Sequence, residues 1–334
     1  MNFFRVANQP GDKRITRFCA NGAAFLLAVL SMPALHFLQV PNFTATQARA
    51  QSVRQILSAR AMERAGARAR STNGKSKSLH ELNISGLKTA IWVPQSTPGP
   101  WPIVIFSHGL HGLNRQSDYI SEALADAGYL VAAPNHDDAL TSSNRFRNTE
   151  EKLARPDKWS ESTYRKRGQD IARLIAALKD DPAWSSRIAW SKISLMGHSL
   201  GGYTVLALAG AWSSWKIPGP VAVVALSPYA NPFVAKQTLG QISIPVMYQT
   251  GTTDFGVAPF LKAPQGAFKM TPSPAYLVDI KGANHFTWTN LNREPSKAYL
   301  IDHYIIAFLD RFVKGDPGSN PAVKLPGVNV VWHH

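Results

Sequence analysis

Cysteine is almost absent from this chain: of 334 residues only Cys19 is one. A cysteine nucleophile and a Cys-ligated zinc site are thereby excluded from the folded part. Acidic residues are also scarce, 21 against 36 Lys and Arg, for a formal charge of +15. The excess gathers at the start, with a net +4 over residues 1–50 and +6 over residues 51–78, leaving +5 for everything after. The folded part is therefore only mildly basic, and no motif of a nucleic-acid-binding module is present. Specific nucleic-acid recognition is not expected; the basic arm is expected to be solvated or weakly attracted to an anionic membrane surface. No internal repeat is seen either.

What is present suffices for a large core, since 45% of residues are hydrophobic and 17% charged. One large domain behind a processed N-terminus fits this length best. Residues 1–17 are basic, Phe18 to Val40 is largely apolar, and Ala48-Arg49-Ala50 supplies a small-residue cleavage pattern. These are the three parts of a secretory signal, so residues 1–50 are expected to direct export. An uncleaved N-terminal anchor is the competing reading, because the apolar run approaches bilayer length. Residues 51–78, rich in Ala and Arg and ending in a Ser/Gly/Lys tract, read as a flexible linker. A catalytic domain is expected over residues 79–316 and a tail over 317–334.

Within that domain strands and helices alternate. Leu79 to Gly86, Leu87 to Val93, Trp101 to Ser107, Tyr129 to Pro134, Val221 to Leu226, Val246 to Gln249 and Tyr276 to Ile280 read as strands. Asp118 to Ala127, Arg165 to Lys179 and Ser296 to Lys314 show helical spacing. Continuous apolar runs separated by amphipathic helices predict an α/β fold, a mostly parallel sheet covered by helices on both faces.

The chemistry gathers on Gly197-His198-Ser199-Leu200-Gly201. An apolar strand leads into this Gly-flanked turn and a small-residue helix follows, the pattern of a nucleophile elbow with Ser199 at its apex. A serine hydroxyl needs a base to accept its proton and a carboxylate to orient that base. His285, in the Gly-containing loop after the last strand of the alternation, has the place of the base. Asp254, just after the preceding strand, has the place of the acid; Asp279 lies inside a strand and is less able to reach. The order Ser199, Asp254, His285 is that of an α/β-hydrolase triad. Two N–H donors are needed for the developing oxyanion. Leu200 is expected to supply one and Leu110, in Ser107-His108-Gly109-Leu110-His111-Gly112, the other, with Gly109 in reserve. His198 is expected as a wall or supporting group of the substrate site, and Trp288 either as a pocket aromatic or as a core one. His303, on the apolar face of a helix, reads as packed. His136-Asp137-Asp138 resembles a metal cluster only in composition, because adjacent residues rarely face one ion. No metal and no cofactor are expected.

Several of these stretches together resemble a family. Ile103-Val104-Ile105-Phe106-Ser107-His108-Gly109-Leu110, Val131-Ala132-Ala133-Pro134-Asn135-His136-Asp137, Gly197 to Thr204 and Gly282-Ala283-Asn284-His285-Phe286 are similar to the bacterial dienelactone-hydrolase-like proteins. That group is related to the platelet-activating-factor acetylhydrolases and more distantly to cutinase-like polyester hydrolases. The resemblance implies an α/β-hydrolase fold, a Ser-Asp-His triad and no cofactor. Dienelactone hydrolases proper use cysteine where this chain has Ser199, and the acetylhydrolases carry their acid where it has Ser227, so neither substrate is carried over. The expected activity is hydrolysis of small or lipid-like carboxylic esters through an acyl-enzyme. A peptidase or acyltransferase on the same triad and a catalytically silent binding module are the alternatives.

Overall fold

In a computed structural model of the chain, residues 79–140 and 148–334 are described. The signal, anchor and linker expected before Leu79 lie outside them. The described residues build one nine-stranded sheet. Its strands are β1 (Leu79–Ile84), β2 (Leu87–Trp92), β3 (Trp101–Ser107), β4 (Leu130–Pro134), β5 (Ile188–His198), β6 (Pro220–Leu226), β7 (Val246–Gly251), β8 (Ala275–Ile280) and β9 (Val328–His333). The spatial order is β1-β2-β4-β3-β5-β6-β7-β8-β9. The six central strands, β3 to β8, pair in parallel, and β1, β2 and β9 join antiparallel at the edges. The mostly parallel sheet anticipated from the apolar runs is thus observed.

Alternation along the strands distributes side chains between two cores. Ile103 and Ile105 of β3 pack on one face with Ile171, Leu174 and Leu178 of α2 (Arg165–Asp180). Val104 and Phe106 pack on the other with Ile120 and Leu124 of α1 (Asp118–Asp126) and with Ile301, Tyr304 and Phe308 of α4 (Pro295–Leu309). Side chains one residue apart on a strand point to opposite faces, so a parallel strand covered on both sides must be apolar throughout. Among the described residues no helix is long and apolar enough to cross a membrane.

Two segments differ from expectation. The closing helix keeps regular α geometry only to Leu309, and Asp310–Lys314 continues as a wider turn that Gly315 ends at φ 79°. The segment expected as a tail is part of the fold: β9 pairs with β8, Leu277 opposite Trp332 and Val278 opposite Val331. Its pairing partner is a strand about fifty residues earlier, which local pattern does not identify.

The centre of the sheet positions the elbow. β5 runs to His198, Ser199 turns the chain, and α3 (Leu200–Leu206) starts at the next residue. Strand and helix are so close that a methyl on Gly201 would overlap the carbonyl of Ser107 at the end of β3. One on Gly197 would overlap the backbone of Gly201. Gly201→Ala is expected to force β3 and α3 apart, lowering stability by about 1–3 kcal/mol and the ester turnover expected from the sequence by orders of magnitude. Urea unfolding together with p-nitrophenyl butyrate turnover checks this, and an unperturbed variant would refute the packing argument.

Candidate active site

Ser199 stands at φ 55° and ψ −115°, a backbone conformation that lifts its side chain clear of the sheet. His285 reaches it from the loop after β8. That loop is shaped by its own side chains: Asn284 Oδ1 accepts the Phe286 N–H at 2.9 Å, and Thr287 Oγ1 accepts the Asn284 N–H at 2.9 Å. His285 Nε2 lies 2.9 Å from Ser199 Oγ. Asp254, 3% exposed, sits in the turn after β7, where its own carbonyl accepts the amides of Val257 and Ala258 at 3.3 and 3.0 Å. Its carboxylate oxygens are 3.4 and 3.5 Å from His285 Nδ1, longer than a good hydrogen bond. The gap is bridged by Ser227, at the end of β6. Its Oγ is 2.7 Å from His285 Nδ1, and its hydroxyl donates a short bond to Asp254 Oδ2. With Nε2 free to accept from Ser199, the imidazole proton is on Nδ1 and is donated to Ser227, whose own proton goes to the carboxylate.

The residues expected to donate to an oxyanion, Leu200 and Leu110, lie on α3 and on the loop after β3. Leu200 is the first residue of α3, so its amide has no partner one turn back. The loop after β3, which carries Leu110, approaches the nucleophile: a Cβ built on Gly109 would lie 3.5 Å from Ser199 Cβ. Gly109, held in reserve, is ruled out as a donor because its N–H is already given to Gln116 Oε1 at 3.0 Å.

Comparison with known proteins places this architecture. The family model for platelet-activating factor acetylhydrolase, isoform II, matches residues 77–175. Cutinase 1 of Thermobifida cellulosilytica is 26% identical over 248 residues, covering 72% of this chain and 80% of its own length. A cutinase of Thermobifida fusca (strain YX) is also 26% identical over 248 residues, covering 72% of this chain and 70% of its own. The chain is similar to these proteins, and its mostly parallel sheet with helices on both faces is that of an α/β-hydrolase fold.

Other residues singled out in the sequence prove to have structural work. His198 is 1% exposed and lines no substrate surface. Its Nε2–H donates to the carbonyl of His285 at 2.7 Å, and its Nδ1 accepts from Gln116 Nε2 at 3.2 Å. Since Gln116 also holds the Gly109 amide, one chain of hydrogen bonds ties the oxyanion loop to the histidine loop beneath the nucleophile. Burial, and secondarily the nearby His285, lowers the pKa of His198 to about 3. Trp288 has no exposed surface; it packs against the α1/α4 side of the sheet, and its indole N–H goes to Gln249 Oε1 at 2.9 Å. It is a core residue and not a wall of the pocket. Asp279 is engaged by Lys262 and Asn329 at 2.8 and 2.9 Å, well away from the histidine. His303 contacts Tyr299 and Tyr304 on its own helix.

The triplet after β4 disperses. His136 lies between Ser107 Oγ at 2.9 Å and Asp170 at 3.1 Å, Asp138 pairs with Arg167 at 2.8 Å, and Asp137 with Lys166 at 3.0 Å. Among the described residues no group of three or more His, Cys, Asp or Glu could hold a metal ion. Gln116 and Arg167 have no place in the sequence reading, and Ser227 enters it only as the residue standing where the acetylhydrolases carry their acid.

Neutral, buried His198 has a consequence for stability. Between about pH 3 and pH 6.5 the unfolded chain binds a proton at this residue that the folded chain does not, so stability falls as pH falls through that window. His198→Ala is expected to make the slope of unfolding free energy against pH shallower there by at most about 1.4 kcal/mol per pH unit. It is also expected to lower kcat about tenfold by loosening the His285 loop. Urea titrations at several pH values and steady-state kinetics test both; an unchanged slope would show that His198 protonates in the folded protein.

Proposed function

We propose that this protein hydrolyses carboxylic esters through an acyl-enzyme formed on Ser199. His285 takes the Ser199 proton as Oγ attacks the carbonyl carbon, and returns it to the leaving alcohol as the tetrahedral intermediate collapses. A water deprotonated by the same imidazole then attacks the acyl-enzyme and frees the acid. Asp254, acting partly through the Ser227 hydroxyl, keeps the proton on Nδ1 and stabilises the imidazolium that forms in each half-reaction. The amides of Leu110 and Leu200 donate hydrogen bonds to the negative charge that develops on the carbonyl oxygen.

The observation that supports this reading most directly is the 2.9 Å approach of His285 Nε2 to a serine held at positive φ on a strand-to-helix turn. Carboxylic esters are the substrate class, in keeping with the named relatives. The basic, apolar and small-residue segments of residues 1–50 support export of the enzyme.

A fluorophosphonate probe is expected to label the protein at one residue, with labelling abolished in Ser199→Ala. Turnover of p-nitrophenyl butyrate is expected to fall on the order of 10⁴-fold or more in Ser199→Ala and His285→Ala, and less in Asp254→Asn. Ser227→Ala is expected to retain labelling but turn over more slowly. Labelling that persists in Ser199→Ala would assign the nucleophile elsewhere.

A further inference from the structure

Arg167, in the first turn of α2, is 2% exposed although it takes no part in the triad. A guanidinium leaves water without great cost only where its donors find acceptors. Here Nε and Nη2 grip Asp138 at 2.9 and 2.8 Å. The other bonds go to the backbone of the oxyanion loop: Nη1 donates to the carbonyl of His108 at 2.7 Å and Nη2 to that of Gly109 at 3.0 Å. A longer contact of 3.4 Å joins Nη1 to Ser107 Oγ.

The Gly109 carbonyl has further donors. The Gly112 N–H reaches it at 3.0 Å and His108 Nδ1 at 2.7 Å. His108 Nε2 accepts the His136 amide at 3.0 Å, which leaves the ring proton on Nδ1, and burial together with Arg167 keeps that ring neutral. One carbonyl oxygen thus receives three donors, one of them cationic.

The consequence lies across the peptide bond. The Gly109–Leu110 peptide is trans, so its C=O and N–H point in opposite directions within one plane. Fixing the carbonyl toward Arg167 fixes the Leu110 N–H away from it. The loop also abuts the nucleophile, since a Cβ built on Gly109 would lie 3.5 Å from Ser199 Cβ. Donors on a carbonyl polarise the whole peptide unit and strengthen its N–H as a donor.

We propose that Arg167 is the positioning residue of the oxyanion site, holding the Gly109–Leu110 peptide so that the Leu110 N–H meets the charge of the tetrahedral intermediate. The inference rests on the reading of Ser199 as nucleophile. Asp138 balances the guanidinium and sets its plane through a two-pronged contact that lysine cannot reproduce.

The test uses Arg167→Gln and Arg167→Lys in the full chain, assayed well below their unfolding temperatures. Butaneboronic acid, which forms a reversible tetrahedral adduct on a serine oxygen, reports the oxyanion site separately from substrate binding. In Arg167→Gln, kcat for p-nitrophenyl butyrate is expected to fall about 10²-fold with KM nearly unchanged, and the inhibition constant of the boronic acid to rise by a similar factor. Arg167→Lys is expected to lie between Arg167→Gln and the wild type in both readouts, and it carries the comparison if the glutamine variant does not fold. A kcat close to wild type, or a lower kcat with unchanged boronic acid affinity, would overturn the proposal and leave Arg167 a purely structural residue. Failure of the underlying reading is seen separately, as turnover that survives Ser199→Ala.

Discussion

The close approach of β5, α3 and the end of β3 is the constraint on which the rest of the site depends. Ser199 at φ 55° is a non-glycine residue in a region that costs about 1–3 kcal/mol to occupy. The turn is held from several sides: its N–H donates to the Leu226 carbonyl at 3.0 Å, and its own carbonyl accepts the amides of Tyr203 and Tyr229 at 3.1 and 2.9 Å. Parallel pairing of β5 with both β3 and β6 supplies the rigidity. A loop without those neighbours would relax and withdraw the hydroxyl.

Around that fixed point the functional groups come from three strand ends and are joined by buried polar bonds. Gln116 and His198 link the oxyanion loop to the histidine loop, and Ser227 links the histidine to its carboxylate. Arg167 and Asp138 hold the oxyanion loop from the opposite side. Gln116, His198, Ser227 and Arg167 are buried, so their hydrogen bonds are made in a low-dielectric setting where leaving a partner unpaired costs more than the bond itself contributes. This favours one arrangement of the loops before substrate arrives, the condition under which fixed dipoles assist a reaction most.

The parallel centre of the sheet was legible because β3, β4, β6 and β7 are covered on both faces and must be apolar without interruption. The edge strand β9 was not, because Val328 to His333 is half-exposed and its pairing depends on a distant partner. The positions of Ser199, Asp254 and His285 could be named from chain order, since each follows a strand that the pattern reveals. Ser227 carried no comparable signal: a hydroxyl after a strand has many roles, and only the arrival of two other loops beside it distinguishes this one. Arg167 did leave a trace. It lies with Asp170, Ile171, Leu174 and Leu178 on the buried stripe of α2, and charged residues on an apolar stripe require internal partners.

His198 and Trp288 show where local reading ends. His198 adjoins Ser199 and Trp288 lies three residues after His285, yet both side chains turn into the protein, one to tie two loops and one to fill the core. By itself the sequence determined the period of the strands, the turn at Ser199 and the strand ends that carry Asp254 and His285, because these follow from backbone sterics and from which residues water rejects. The tertiary structure alone decided which polar groups meet. Hydrogen-bond partners separated by 29 to 87 residues become neighbours only when the strands pair.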